Sequence, residues 1–147
     1  QIGKGEAEIA GFAEQWRHDR LVMDKWFGLQ VALAAPEAAA KTAAALAAHP
    51  AFDIKNPNRF RAVFGALKGN AAGFHDASGA GYDLLAAWLI KLDPINPQTT
   101  ARMTSAFDTW KRYDTDRQAK MRAALSRIAQ TPGLSRDTTE MVLRILG

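Results

Sequence analysis

The chain has 147 residues, 48% of them hydrophobic, with no cysteine and a formal net charge of +4. This length and composition suit one domain that buries a hydrophobic core without help from disulfides or a structural metal. The lack of cysteine excludes a disulfide framework and any thiolate zinc site. No stretch approaches the run of about 18 apolar residues that predicts a membrane-spanning helix, so no membrane partner is expected.

The positive charge is concentrated in the second part of the chain. Residues 1–50 carry five basic and six acidic groups, whereas residues 51–147 carry fourteen basic and nine acidic groups. Because the basic residues alternate with acidic ones, the pattern favours solvated helix faces over a nucleic-acid surface. We therefore expect no nucleic-acid partner; the alternative, binding through the basic part, would show as a steep loss of affinity with salt.

Apolar residues at helical spacing predict a first helix over about residues 5–17 and a second over about residues 20–34. The break between them is His18-Asp19-Arg20. The stripes expected to face the core are Ile9, Phe12, Ala13 and Trp16 in the first helix, and Val22, Trp26, Leu29 and Leu33 in the second.

Two further helices follow, each opened by a proline. Pro36 precedes an alanine-rich helix that His49-Pro50 ends, because the residue before a proline is disfavoured in the helical region. The fourth helix begins with Asn56 as its cap and Pro57 in its first turn, and ends near Gly69. Its core stripe is predicted to be Phe60, Val63, Phe64 and Leu67, with Arg59 and Arg61 off the stripe.

A glycine-rich loop is predicted over residues 69–81, and four more helices after it. The fifth ends at Asp93-Pro94, and the sixth repeats the asparagine-proline start at Asn96-Pro97. Pro132-Gly133 separates the seventh helix from the last, for which Ser135 is the predicted cap. The predicted buried residues are Leu85, Trp88, Leu89 and Leu92, then Met103, Phe107 and Trp110, then Met121, Ala124, Leu125 and Ile128, and finally Met141, Val142, Ile145 and Leu146.

About eight helices joined by short loops, with no alternating strand pattern, predict an all-α fold. Helices of this length with short connections form antiparallel pairs that stack in sequence. This arrangement matches an α-α superhelix of the HEAT or armadillo type, in which curvature creates a concave surface. The sequence has no clean repeat, so a compact helical bundle is the alternative, and the preference for the superhelix comes partly from the family resemblance described next.

Several ordered blocks of the sequence resemble one known domain. They are residues 21–34 (LVMDKWFGLQVALA), 49–67 (HPAFDIKNPNRFRAVFGAL), 74–82 (FH followed by GxGY), 92–103 (LDPINPQTTARM), 110–125 (WKRYDTDRQAKMRAAL) and 133–142 (GLSRDTTEMV). Together they resemble the C-terminal helical domain of bacterial aminopeptidase N, of the membrane-alanyl-type zinc aminopeptidases. The resemblance extends over nearly the whole chain, and it too implies an α-superhelix.

Enzymes of this family hold zinc with an HExxH helix, and the chain has no such motif. The resemblance therefore implies that zinc and all catalytic residues belong to another part of a parent enzyme, and that this chain binds no metal. His49 is expected near the last carbonyl groups of its helix, and His75 is expected to hydrogen-bond within its loop.

Two arginines are the predicted substrate-binding residues. The resemblance implies a domain that closes over the catalytic domain, with cationic side chains on its inner face meeting the carboxyl end of a peptide. Arg61 and Arg102 are the residues that align with such positions. The alternative for each is a surface arginine that pairs with Asp53, Asp93 or solvent.

The resulting prediction is one domain, residues 1–147, at the C-terminal end of a larger zinc aminopeptidase that removes N-terminal residues from peptides. The chain is expected to enclose the substrate and contact it, to be inactive alone, and to have the N-terminal catalytic domains and the peptide as partners. The resemblance implies a cytoplasmic location. A stand-alone helical-repeat module that binds a protein segment is the alternative.

Overall fold

A computed structural model describes residues 20–147 of the chain. The predicted first helix, with its stripe Ile9, Phe12, Ala13 and Trp16, lies outside the described residues, as does His18. Over residues 20–147 the structure contains eight α-helices and no strand. The helices are α1 (Arg20–Ala32), α2 (Ala39–Ala47), α3 (Pro57–Gly69), α4 (Ala71–Phe74), α5 (Ala80–Leu92), α6 (Pro97–Thr104), α7 (Thr115–Ala129) and α8 (Arg136–Leu146).

The helix starts follow the predicted capping residues. Asn56 Oδ1 accepts hydrogen bonds from the backbone N–H groups of Asn58 and Arg59, at 3.1 and 3.2 Å, and so opens α3. Asn96 Oδ1 opens α6 in the same way by accepting from Thr99 N at 3.1 Å. The two asparagine-proline starts are therefore confirmed.

Helices pack mainly against helices two positions along the chain. Helix α1 packs on α3, α5 packs on α7, and α6 packs on α8. This pattern is typical of stacked helical hairpins, because equivalent helices of successive hairpins lie side by side. The buried residues form one hydrophobic core cluster that extends from α1 to α8. The predicted all-α class is confirmed.

The predicted core face of the second helix is wrong in part. Trp26 is buried as expected, but Leu29 and Leu33 are 57% and 80% exposed. The residues that face the core are instead Met23, Phe27 and Val31. Helix α1 is apolar on most of its circumference, so helical periodicity alone could not select the buried face.

The stretch 69–81 is not entirely loop, because it contains the short helix α4. Asn70 fixes this helix: its Oδ1 accepts from Gly73 N at 3.1 Å, and its Nδ2 donates to the carbonyl oxygens of Val31 and Ala34 at 3.0 and 2.9 Å. The loop therefore packs against the end of α1. None of the helices within residues 20–147 is long and apolar enough to cross a membrane.

The predicted sixth helix is shorter than its apolar stripe suggested. Helix α6 ends at Thr104, and Phe107 and Trp110 enter the core from two 3-10 turns, Ser105–Phe107 and Trp110–Arg112. Ser105 Oγ donates to the carbonyl oxygen of Arg102 at 2.6 Å, where the helix ends. Such bonds from side-chain hydroxyl groups compete with helix continuation.

Candidate functional site

The structure brings Arg61 and Arg102 to a common pocket between α3, α5 and α6. The cavity has a volume of about 200 Å³. Its lining consists of Arg61, Phe64, Gly65, Lys68, Leu85, Arg102, Met103, Ser105 and Ala106. Two arginines that lie 41 positions apart in the sequence thus line the same concave surface.

The helix starts explain where the two arginines lie. Arg61 lies in the second turn of α3 and Arg102 in the second turn of α6, each after an asparagine-proline start. Arg61 Nη2 donates a 2.7 Å hydrogen bond to Asn58 Oδ1, which holds its guanidinium group close to its own helix. Arg102 is exposed.

Neither arginine takes the ion-pair partners that the alternative interpretation offered. Asp53 Oδ1 accepts from the backbone N–H of Lys55 at 2.9 Å. Asp93 is buried and accepts from Ser135 and Thr138 instead. Within residues 20–147 the ion pairs are Arg59–Asp24, Arg117–Asp114, Lys120–Asp116 and Arg136–Glu140. Neither guanidinium group thus has a carboxylate partner within residues 20–147, which leaves contact with solvent as the alternative to the binding of an anion.

The pocket combines this positive charge with an apolar floor. Phe64 and Leu85 are buried at its base, and Met103 is partly buried beside them. Lys68, in the last turn of α3, adds a third cation and is exposed. Its lining has no histidine or carboxylate, the side chains that most often act as general bases, and consists of cationic and apolar binding groups.

Sequence reasoning missed Lys68 and Gly65 as parts of this site. Lys68 follows Arg61 by seven residues, which is two helical turns and therefore the same helix face. The seven-residue spacing from Arg61 could therefore have identified Lys68 from the sequence. Gly65 carries no side chain, and only the structure shows that it borders the pocket.

The described residues do not fit a zinc site. No three histidine or acidic side chains within residues 20–147 group closely enough to hold a metal ion. His49 Nδ1 accepts from Ala51 N at 3.0 Å, and the ring lies edge-on against Trp26 and Phe27. The His49 ring thus bonds a backbone N–H beyond the helix, not the last carbonyl groups.

The second described histidine belongs to a packed aromatic cluster. His75 Nδ1 lies 2.6 Å from Tyr82 Oη, and the His75 ring stacks on Tyr113 with centroids 4.1 Å apart. Arg117 Nε donates to the carbonyl oxygen of His75 at 2.7 Å. Burial, and then the nearby charge of Arg117, lower the pKa of His75. Burial raises the pKa of Tyr82 to about 12. Both shifts favour the neutral forms of His75 and Tyr82, and the contacts of His75 tie the loop to α5 and α7.

The stacked helices define an armadillo-type helical domain. The chain belongs to the family described as "Domain of unknown function (DUF3458_C) ARM repeats", whose sequence pattern it matches over residues 2–147. This result confirms the predicted helical-repeat fold.

Proteins named "Aminopeptidase N" are similar to the chain at the sequence level. It is 41% identical over 143 residues to that of Caulobacter vibrioides and 39% identical over 147 residues to that of Escherichia coli, covering 97% and 99% of this chain. These alignments cover only 16% and 17% of the two relatives. The chain thus spans about a sixth of their length, and its predicted resemblance to a helical domain of aminopeptidase N is confirmed.

A solved structure shows the same fold. The crystal structure of Legionella pneumophila aminopeptidase A in complex with aspartic acid superposes with a TM-score of 0.91 at 31% sequence identity. The match covers 99% of this chain and 17% of that protein.

Proposed function

We propose that this chain is the C-terminal domain of a zinc-dependent aminopeptidase, in which Arg61 and Arg102 bind the terminal carboxylate of the peptide substrate. The observation that carries the proposal is their position in one pocket without a carboxylate partner among residues 20–147. Guanidinium groups bind carboxylates through paired hydrogen bonds, a geometry that a lysine ammonium group does not reproduce.

The chemistry of the pocket suits substrate binding and not bond cleavage. The pocket holds cations and apolar groups but no histidine or carboxylate, so we assign to it substrate binding and orientation. Bond cleavage belongs to zinc and catalytic residues elsewhere in the longer protein. The names of the relatives and their length, about six times that of the chain, support this arrangement. We propose a cytoplasmic location for this enzyme and no peptidase activity for the isolated chain.

Exposed apolar side chains on α1 and just after it support contact with the rest of the longer protein. Leu21, Leu29 and Leu33 are 74%, 57% and 80% exposed. In a stack of helical repeats, terminal repeats that face solvent carry a polar outer surface, so an apolar one favours a covered position. The preceding catalytic domains of the same chain are the partner that we propose for it.

The test measures substrate selectivity in the full-length enzyme that contains this chain. Arg61→Ala and Arg102→Ala are compared with the wild type on a tetrapeptide with a free carboxylate, its C-terminal amide, and an alanyl anilide. Charge-assisted hydrogen bonds contribute about 1.5–3 kcal/mol, so each variant should lose about ten- to a hundredfold in kcat/KM on the free acid. The losses on the amide and the anilide should be much smaller.

Arg127→Ala is the matched control, because Arg127 is an exposed arginine of α7 outside the pocket. It should leave all three values of kcat/KM close to those of the wild type. Equal losses on the three substrates in the Arg61 and Arg102 variants, or no loss on the free acid, would remove the carboxylate role from both residues.

A further inference from the structure

We propose that the apolar floor of the pocket binds the side chain of the last residue of the peptide, so that the enzyme favours peptides ending in leucine or methionine. This inference rests on the proposed function, since it takes the carboxylate of the same residue to be held by Arg61 and Arg102. It adds a specificity for the side chain, and it assigns that specificity to Phe64, Leu85 and Met103.

The size of the pocket fits one side chain. A volume of about 200 Å³ is smaller than the pockets of about 300–1,000 Å³ that hold drug-sized ligands. Phe64 and Leu85 are 0% and 1% exposed, so the floor cannot move aside without disturbing the core. Met103 is unbranched and partly buried, so it can adapt to the shape of an apolar side chain.

The position of the cations determines how the residue is oriented. A C-terminal residue carries its carboxylate and its side chain on the same Cα, so one residue can contact the arginines and the floor together. A glycine would leave the floor in contact with water and gain nothing from it. A lysine would bring a fourth positive charge beside Arg61, Arg102 and Lys68, which is unfavourable.

Gly65 provides a way to fill this pocket from the helix itself. A Cβ atom built at Gly65 meets no other atom within 4 Å, so a larger side chain has open space there. Since Gly65 lines the pocket, that side chain would occupy the apolar subsite. Gly69, at the end of the same helix, is equally open but does not line the pocket. It is the matched control position.

The experiment uses the full-length enzyme and tetrapeptides that differ only in the last residue, which is Leu, Met, Gly, Lys or Asp. Each peptide is measured as the free acid and as the amide. One methylene group more or less in a hydrophobic pocket changes kcat/KM about tenfold or more, and we expect the leucine and methionine acids to exceed the glycine and lysine acids about tenfold in kcat/KM. In Gly65→Leu this preference should fall to about twofold or less, whereas Gly69→Leu should retain it.

The results separate this inference from the proposed function. Equal kcat/KM for the leucine and glycine acids, with a clear preference for acid over amide, would overturn the inference and leave the carboxylate role intact. A preference for aspartate over leucine would also overturn it, because Lys68 would then select the side chain. If the wild type showed equal kcat/KM for the free acids and their amides, that result would overturn the proposed function, and the inference with it. The wild-type peptide series decides these points even if Gly65→Leu does not fold.

Discussion

Arg59 of α3 and Asp24 of α1 form an ion pair in the interior, with Nε and Oδ1 2.5 Å apart and side chains only 7% and 16% exposed. Arg59 Nη1 also donates to the carbonyl oxygen of Ala51, and its guanidinium carbon lies 5.0 Å from the centre of the Phe27 ring. The pair therefore joins α1, α3 and the segment between α2 and α3. It stabilises the part of α3 that positions Arg61.

Removing one partner of this pair should destabilise the domain strongly. Asp24→Ala leaves the Arg59 charge buried without a carboxylate, and breaking such a pair costs about 3–5 kcal/mol. Chemical denaturation should show the lower free energy of unfolding. The double variant Asp24→Leu, Arg59→Met should recover part of it, because neither charge is then buried.

The control for this pair is Glu140→Ala, which breaks the surface ion pair with Arg136. Both of those side chains are largely exposed, at 64% and 89%, and a solvent-exposed pair contributes little. If Glu140→Ala destabilised the domain as much as Asp24→Ala, the buried pair would not have the role described.

Asp93 should be a second site of large stability loss. Its carboxylate accepts from Ser135 N, Ser135 Oγ and Thr138 Oγ1, each at 2.6 Å, and so joins the end of α5 to the start of α8. Asp93→Ala leaves these donors without their acceptor, and each buried unpaired group lowers the free energy of unfolding by about 1–3 kcal/mol. Thermal or chemical unfolding measures the change. Asp108→Ala, at an exposed position, should have little effect.

The pH dependence of stability should carry a contribution from His75. Its pKa in the folded chain is lowered from the ordinary value of 6.5 by burial and by Arg117. Between the folded and unfolded pKa values the unfolded chain therefore binds more protons. The contribution of His75 to the free energy of unfolding is therefore complete above about pH 6.5, and it decreases as the pH falls towards the pKa of the folded state.

Two measurements check this prediction. An NMR titration of the His75 ring should give a midpoint below 6.5, and His75→Gln should flatten the loss of stability between neutral and mildly acidic pH. A midpoint at or above 6.5 would contradict it. The charged groups that act on His75 and Tyr82 are Arg117 and Asp114, and neither is changed in the variant.

Much of α3 could be predicted from local sequence. Asn56 and Pro57 define its start, and the predicted stripe of Phe60, Val63, Phe64 and Leu67 is fully buried. These features depend on residues within a few positions of each other. Arg59 could not be placed in the same way, because its partner Asp24 lies 35 residues earlier and on another helix.

The candidate pocket, too, could be predicted from the sequence only in part. The resemblance pointed to Arg61 and Arg102, but the pocket that joins them depends on how α3, α5 and α6 pack. The buried face of α1 was predicted correctly at Trp26 but not at Leu29, because several faces of the helix are apolar and only packing against α3 decides between them. At Gly28 that packing is close: a built Cβ would lie 3.1 Å from the carbonyl oxygen of Ala62.

The most direct test of the carboxylate role is the ratio of kcat/KM for a leucine-terminated tetrapeptide and its amide in the full-length enzyme. The wild-type ratio is compared with that of the double variant Arg61→Ala, Arg102→Ala. We expect a preference for the free acid of about ten- to a hundredfold in the wild type, and a ratio close to one in the double variant. An unchanged ratio in the double variant would contradict it.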